Sequence, residues 1–186
     1  TKKILFSHTK TANQVLQRNH GLRMINKKIK LILQLDDKFY LHKKAIENLI
    51  NEWNNVNENV AGIGIKSNFK DLNSSNHFNF VKYLMLTWSN EPGKVLISGF
   101  NNQPLSKKKL MDVDWLQGGL SSWRLKHVPH IFNRKFPLNK WSVLEDLIFS
   151  FNVKFKKNFR LVISSRIKAY VINRVKEKYT VGEYYY

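Results

Sequence analysis

The sequence predicts an α/β domain, a mainly parallel sheet flanked by helices, and two observations carry that expectation. The first is a strand–helix–strand succession. Residues 29–35, Ile-Lys-Leu-Ile-Leu-Gln-Leu, form a near-continuous apolar run of the kind a parallel sheet buries on both faces. In residues 40–54, Leu41, Ala45, Ile46, Leu49, Ile50 and Trp53 fall at helical spacing. Residues 60–65, Val-Ala-Gly-Ile-Gly-Ile, then read as a second strand, and such a unit normally makes a right-handed parallel crossover. The second observation is bulk: 186 residues, 42% hydrophobic and 13% aromatic, suit one globular domain with a real core.

Charge narrows the partners. The chain carries 32 Lys and Arg against 13 Asp and Glu, a formal charge of +19. Such a field favours nucleic acid, anionic lipid or phosphorylated small molecules, unless the lysines are only solvated surface. With no cysteine, disulfides and thiolate metal sites are excluded, and a reducing compartment fits. No stretch approaches the ~20 apolar residues that span a bilayer, and residues 1–8 lack the apolar run of a leader.

The remaining elements follow in order. Residues 4–6 read as a short strand. Thr11 is placed to cap a helix whose apolar face is Val15, Leu16, Leu22 and Ile25, and which carries Arg18, a residue able to grip phosphate bidentately. Asp36-Asp37-Lys38 closes the first long strand. Carboxylates there sit where open α/β sheets bind ligands and suit Mg²⁺ or Mn²⁺, or they cap the next helix. Residues 66–76 are a polar loop. The apolar run 78–88 is either a core helix or a patch for a membrane or partner. A turn at Glu91-Pro92-Gly93 precedes a short strand, 95–98, and a basic loop, 103–109. Residues 113–116 form a strand leading to Gly118-Gly119, where backbone can approach a ligand closely. Ser121 and Ser122 then cap a helix bearing Trp123 and Arg124. Ser142 with Glu145 makes a capping box, which leaves Asp146 unexplained; Leu144, Leu147, Ile148, Phe151 and Phe155 form that helix's buried face. Residues 159–163 and 167–172 are strand-like, and residues 151–178 hold nine Lys or Arg and one acid. Six of the 13 carboxylates fall in three local pairs: Asp36/Asp37, Asp112/Asp114 and Glu145/Asp146.

The order of these motifs resembles the family 2 glycosyltransferases of the GT-A fold. The matching pieces are Gln17-Arg-Asn-His-Gly-Leu22, Ile32-Leu-Gln-Leu-Asp-Asp37, Gly93-Lys-Val-Leu-Ile-Ser-Gly99, residues 113–124, and Glu145-Asp-Leu-Ile-Phe-Ser150 with residues 156–162. The resemblance implies one N-terminally incomplete catalytic domain, residues 1–178, with a tail at 179–186. It implies transfer of a sugar, with inversion, from a nucleotide-sugar donor to a hydroxyl of a glycan or lipid-linked acceptor. Asp146 is then the general base beside Glu145. Arg18, Asp36, Asp37 and Lys38 meet the donor, Asp36 and Asp37 hold Mn²⁺ or Mg²⁺, and Trp115, Gly118 and Gly119 wall the acceptor side. Lys38 stands where the family has a further Asp, so it can itself offset diphosphate charge. The resemblance and the charge together imply a cytoplasmic protein that touches the inner membrane face. Two other classes fit the same sequence: a catalytically degenerate relative that works by binding, and a basic nucleic-acid-binding module, against which the acidic pairs count.

Overall fold

The computed structural model describes residues 5–10, 13–26, 28–67, 80–87, 89–103, 109–128 and 144–171. In order these form α1 (Gln14–Met24), β1 (Leu31–Leu35), β2 (Phe39–Leu41), α2 (Ala45–Asn55), β3 (Val60–Ser67), α3 (Phe80–Leu84), β4 (Leu110–Val113), β5 (Leu120–Arg124), α4 (Glu145–Phe151) and β6 (Arg160–Val171). A π-helical turn, Asn152–Lys156, prolongs α4. The expected caps Thr11 and Ser142, the segment 130–141, most of the loop 66–76 and the tail 179–186 lie outside the described residues.

The expected mainly parallel sheet is corrected. The six strands make a mixed, mostly antiparallel sheet, ordered β1-β5-β3-β6-β2 with β4 also on β6, curled towards a barrel. Only β3 and β6 pair in parallel; β1–β5, β3–β5, β2–β6 and β4–β6 are antiparallel. The predicted crossover is therefore split. β1 and β3 run the same way, but β5 lies between them, pairing Leu31 through Leu35 on one side and Gly62 through Gly64 on the other.

β5 is the residue run expected to be a helix. Its serines do not cap; they satisfy indoles across a pleat. Ser121 Oγ accepts the Trp123 indole N–H at 2.9 Å on one face. On the other face Ser122 Oγ accepts the Trp53 indole N–H at 2.9 Å and donates to the Ile32 carbonyl at 2.8 Å. Buried indole N–H groups need such partners, so a serine pair inside the sheet is stable where it would weaken a helix.

Two cores lie on the two faces. On one, α1 and α4 bring Val15, Phe149 and Val153 against Trp123, Leu116, Leu161 and Ile163. On the other, Ala45, Leu49 and Trp53 of α2 meet Ile63, Ile65, Leu120, Val162 and Ile167. Alternation along β3 explains its glycines: a Cβ on Gly62 would stand 2.8 Å from the Trp123 ring and from Leu116. Trp123 lies edge-on to Phe149, ring centres 4.5 Å apart, so this one indole joins β5, β3 and α4.

Other expectations change as well. Residues 39–41 are the strand β2, so α2 begins only at Ala45; Phe39 N–H bonds the Asp36 carbonyl at 3.1 Å, making a turn of the acidic pair instead of a helix cap. Asn13 caps α1, its side chain accepting from Leu16 N–H at 3.0 Å. Residues 95–98 belong to a small hairpin outside the sheet, bridged Val95 to Asn101. The two final strands are one, β6, whose register shifts opposite residues 65–66 of β3. α4 turns the other way: Glu145, Phe149 and Ser150 are buried, while Leu144, Ile148, Phe151 and Phe155 are exposed. Nothing in α3 is buried.

Two stability tests follow. Ser122→Ala strands the Trp53 indole N–H and lowers stability by about 1–3 kcal/mol, and Gly62→Ala drives a methyl into Trp123 at a cost of about 1–3 kcal/mol; chemical denaturation reads both. The second test is a pH profile. His127 Nε2 is buried without a partner, and the ring lies 3.8 Å from that of Phe159. Burial first, and Lys126 next, push its pKa below the ordinary 6.5. The fold thus favours the neutral ring: its stabilisation is present above 6.5 and is lost as pH falls towards the depressed value. The melting temperature is expected to drop between pH 7 and pH 5, and His127→Gln to flatten that limb.

Candidate functional site

The site begins with a loop. Residues 114–119 connect β4 to β5, and since β5 lies beside β1, the loop's end meets β1's end. Asp36 N–H donates to the Gly119 carbonyl at 3.0 Å. The approach is so close that a Cβ on Gly119 would overlap the Asp36 carboxyl. One residue earlier, a Cβ on Gly118 would stand 2.8 Å from Arg18 Nη2 and 2.9 Å from Glu145 Oε1. The two glycines are needed because side chains from α1, β1 and α4 converge on this turn.

Arg18 is the hub. It hydrogen-bonds the Glu145 carboxylate through Nη1, while Nη2 lies 4.0 Å from Asp36 Oδ1; its side chain is 14% exposed. Lys38 Nζ stands 3.4 Å from Asp36 Oδ2 on the solvent side. Glu145 thus serves Arg18, and Leu144, at the N-cap of α4, makes no side-chain cap. Asp146 is only partly exposed. Its Oδ2 accepts from Gly118 N–H at 3.3 Å and its Oδ1 from Leu147 N–H at 2.8 Å. Burial raises its pKa, and the neighbouring Glu145 charge raises it further; the two N–H groups and Arg18 act against that.

A cleft of about 560 Å³ opens beside Arg18, Asp36, Asp37 and Lys38, with Gln14, Gln17 and Gln34 completing its wall. The glutamines were not singled out from sequence, although Gln14, Gln17 and Arg18 at i, i+3 and i+4 mark one polar face of α1. A second cleft of about 830 Å³, between residues 5–9 and the other side of α1, shares Gln17. The structure thus brings together Arg18, Asp36, Lys38, Gly118, Gly119, Glu145 and Asp146, with Asp37 on the cleft wall. Trp115 is set apart: it is 5% exposed and its indole N–H donates to the Asn102 carbonyl at 2.8 Å. Ser150, unmarked in the sequence, fixes the loop by accepting Leu116 N–H at 3.0 Å.

Charge decides what the cluster can hold. Arg18 and Lys38 face four carboxylates, so the fully ionised cluster is two charges short of neutrality. A diphosphate entering it meets two cations but adds its own negative charge to that deficit, and a divalent cation carried with the phosphates would offset only part of the sum. Among the described residues no three His, Asp or Glu side chains form a closed metal cage. Asp36 and Asp37 on the cleft wall fit the open arrangement, in which one or two carboxylates share Mg²⁺ with substrate phosphates.

No family model matches the chain, and no curated protein matches it. Among solved structures the chain is similar to A197 from STIV, with a TM-score of 0.50 and 14% identity over 92% of this chain and 72% of that one. At that identity the likeness concerns the fold alone. The family 2 glycosyltransferase and GT-A assignment is corrected accordingly: the chain's structural likeness is to A197, and its sheet is mixed and mostly antiparallel, not GT-A-like. Among the described residues no helix is long and apolar enough to cross a membrane.

Gly119→Ala tests the close approach. The added methyl must push Asp36 away from the turn, so a loss of about 1–3 kcal/mol in stability is expected together with weakened ligand binding at the cleft. Thermal melts with and without nucleotide separate the two effects.

Proposed function

We propose that this chain transfers a sugar from a nucleotide-sugar donor to an acceptor hydroxyl, with Asp146 as general base. The observation that carries the reading is the Asp146 carboxylate itself: half-buried, oriented by two backbone N–H groups, raised in pKa, and held by Gly118 at the turn that also meets Arg18 of the cleft wall. A base works best when its pKa approaches the working pH, and burial moves this carboxylate in that direction.

The step is a single displacement. The acceptor oxygen forms a bond to the anomeric carbon as the bond from that carbon to the diphosphate oxygen breaks, and the hydroxyl proton passes to Asp146. The electron pair of the broken bond leaves with the diphosphate. Arg18, fixed by Glu145, and Lys38 face the cleft where that charge develops, and pre-set cations lower the barrier without reorganising. Asp36 and Asp37 would hold a Mg²⁺ or Mn²⁺ brought with the donor, which would supply further charge neutralisation. The acceptor is a glycan or lipid-linked hydroxyl lying on the Gly118 side of Asp146.

Release of nucleoside diphosphate from a panel of UDP-, GDP- and dTDP-sugars tests this, with and without Mg²⁺ or Mn²⁺. Asp146→Asn is expected to lower turnover about 10²–10⁴-fold while donor binding persists. In the native chain kcat/KM falls as pH drops through the raised Asp146 value, an acid limb above the ordinary carboxylate range. Undiminished turnover in Asp146→Asn rejects the assignment.

A further inference from the structure

The outer face of α4 carries a second feature, separate from the transfer reaction. Leu144, Ile148, Phe151 and Phe155 follow at i, i+4, i+7 and i+11, which puts them on one stripe. Their exposures are 53%, 41%, 47% and 52%, although the opposite face of the same helix already buries Phe149 and Val153 in the core. A surface helix normally turns polar residues outward; this one is apolar on both sides. The rings of Phe151 and Phe155 lie 4.9 Å apart, making one continuous apolar tip.

The charge around the stripe selects what meets it. Lys156 and Lys157 are exposed immediately beyond Phe155, and Lys154 stands 5.7 Å over the Phe155 ring. Between Leu147 and Val171 there are six Lys or Arg and no acid. Of the carboxylates near this helix, Glu145 is engaged by Arg18 and Asp114 by Lys154 at 2.7 Å, while Asp146 is turned to the Gly118 and Leu147 N–H groups. A protein partner would have to be both apolar and acidic to match; an anionic bilayer surface is so by constitution, with phosphates above acyl chains. Exposed aromatics beside lysines are the composition of interfacial helices, whose apolar side sinks below the headgroups.

We propose that the Leu144–Ile148–Phe151–Phe155 stripe, with Lys156 and Lys157, docks the protein peripherally on an anionic lipid surface. Asp146 lies five residues before Phe151 on the same helix, about 7.5 Å along its axis. A docked chain would therefore hold its carboxylate close to the headgroup layer, where a lipid-borne hydroxyl would be presented; that consequence alone rests on the transfer reading.

Co-sedimentation with vesicles tests the docking directly. The full chain is mixed with phosphatidylcholine vesicles and with vesicles containing phosphatidylglycerol. Binding is expected to the second only. Lys156→Gln with Lys157→Gln is expected to weaken it about 30-fold, at about five-fold per charge. Phe151→Ser with Phe155→Ser is expected to weaken it roughly ten-fold or more, with the melting temperature unchanged because both rings are exposed. No binding to phosphatidylglycerol vesicles overturns the proposal. Binding that survives loss of both phenylalanines also overturns it, since charge alone then suffices. Sedimentation velocity without lipid covers the remaining case: a dimer broken by the phenylalanine substitutions, without vesicle binding, assigns the stripe to a second copy. The assay reads docking and not turnover, so its failure leaves the role of Asp146 untouched.

Discussion

The whole arrangement depends on one contact, the Trp123 indole lying on the bare backbone of Gly62. It seats Trp123 of β5 flat on β3, because a side chain at position 62 would stand 2.8 Å from the indole and from Leu116 and displace them. Once β5 is seated, the loop before it must arrive beside the end of β1. That is why Gly118 and Gly119 meet Asp36, just beyond β1, and Arg18 of α1. Phe149, packed edge-on against the same indole, fixes α4 and so brings Glu145 and Asp146 to the same place. Core packing and site assembly are consequences of one aromatic contact, with Ser121 satisfying the indole N–H so that its burial is affordable.

The site itself shows a division of labour between neighbouring carboxylates. Glu145 and Asp146 are adjacent in sequence, yet one is spent on Arg18 and the other receives only backbone N–H groups. The paired one lends its charge to orient a cation. The other feels burial and its neighbour's charge, and both disfavour ionisation. Two like groups in unlike surroundings acquire different chemistry, the general route by which a protein makes a base from a weak acid.

Much of the site was legible in the sequence, and less of the fold. The acidic pairs and the double glycine were visible because acids and glycines are few in this basic chain and these stand at breaks in apolar periodicity; Arg18 stood out only as a phosphate-gripping side chain on an amphipathic helix. The topology was not. The apolar run of β1 suggests burial on both faces of a sheet's centre, yet β1 stands at one end of the strand order with no residue fully buried and an antiparallel neighbour, because alternation cannot tell which strand comes next. β5 was misread because Leu-Ser-Ser-Trp-Arg carries cap-like serines; their role as indole acceptors needs two tryptophans, one of them 69 residues away in α2. The face of α4 was inverted for a plainer reason. Its sequence carries apolar residues on two sides, so periodicity offered two faces to bury, and contact with Trp123 and Leu116 decides which one is used.

The raised pKa of Asp146 also says what the site costs. The folded value lies above the unfolded one, so the fold binds this proton more tightly than the unfolded chain does. The resulting stabilisation is complete below the ordinary carboxylate value and is lost as pH rises through the raised value. Ionisation of Asp146 therefore runs against the preference of its surroundings. The N–H groups of Gly118 and Leu147, and the nearby Arg18, offset part of that penalty without abolishing it. His127 pulls in the opposite direction, since its neutral form is favoured and its stabilisation is lost as pH falls. The two groups thus give stability opposite dependences on pH. Of the two, only Asp146 belongs to the cluster around Arg18, where an unfavourable ionisation can serve chemistry.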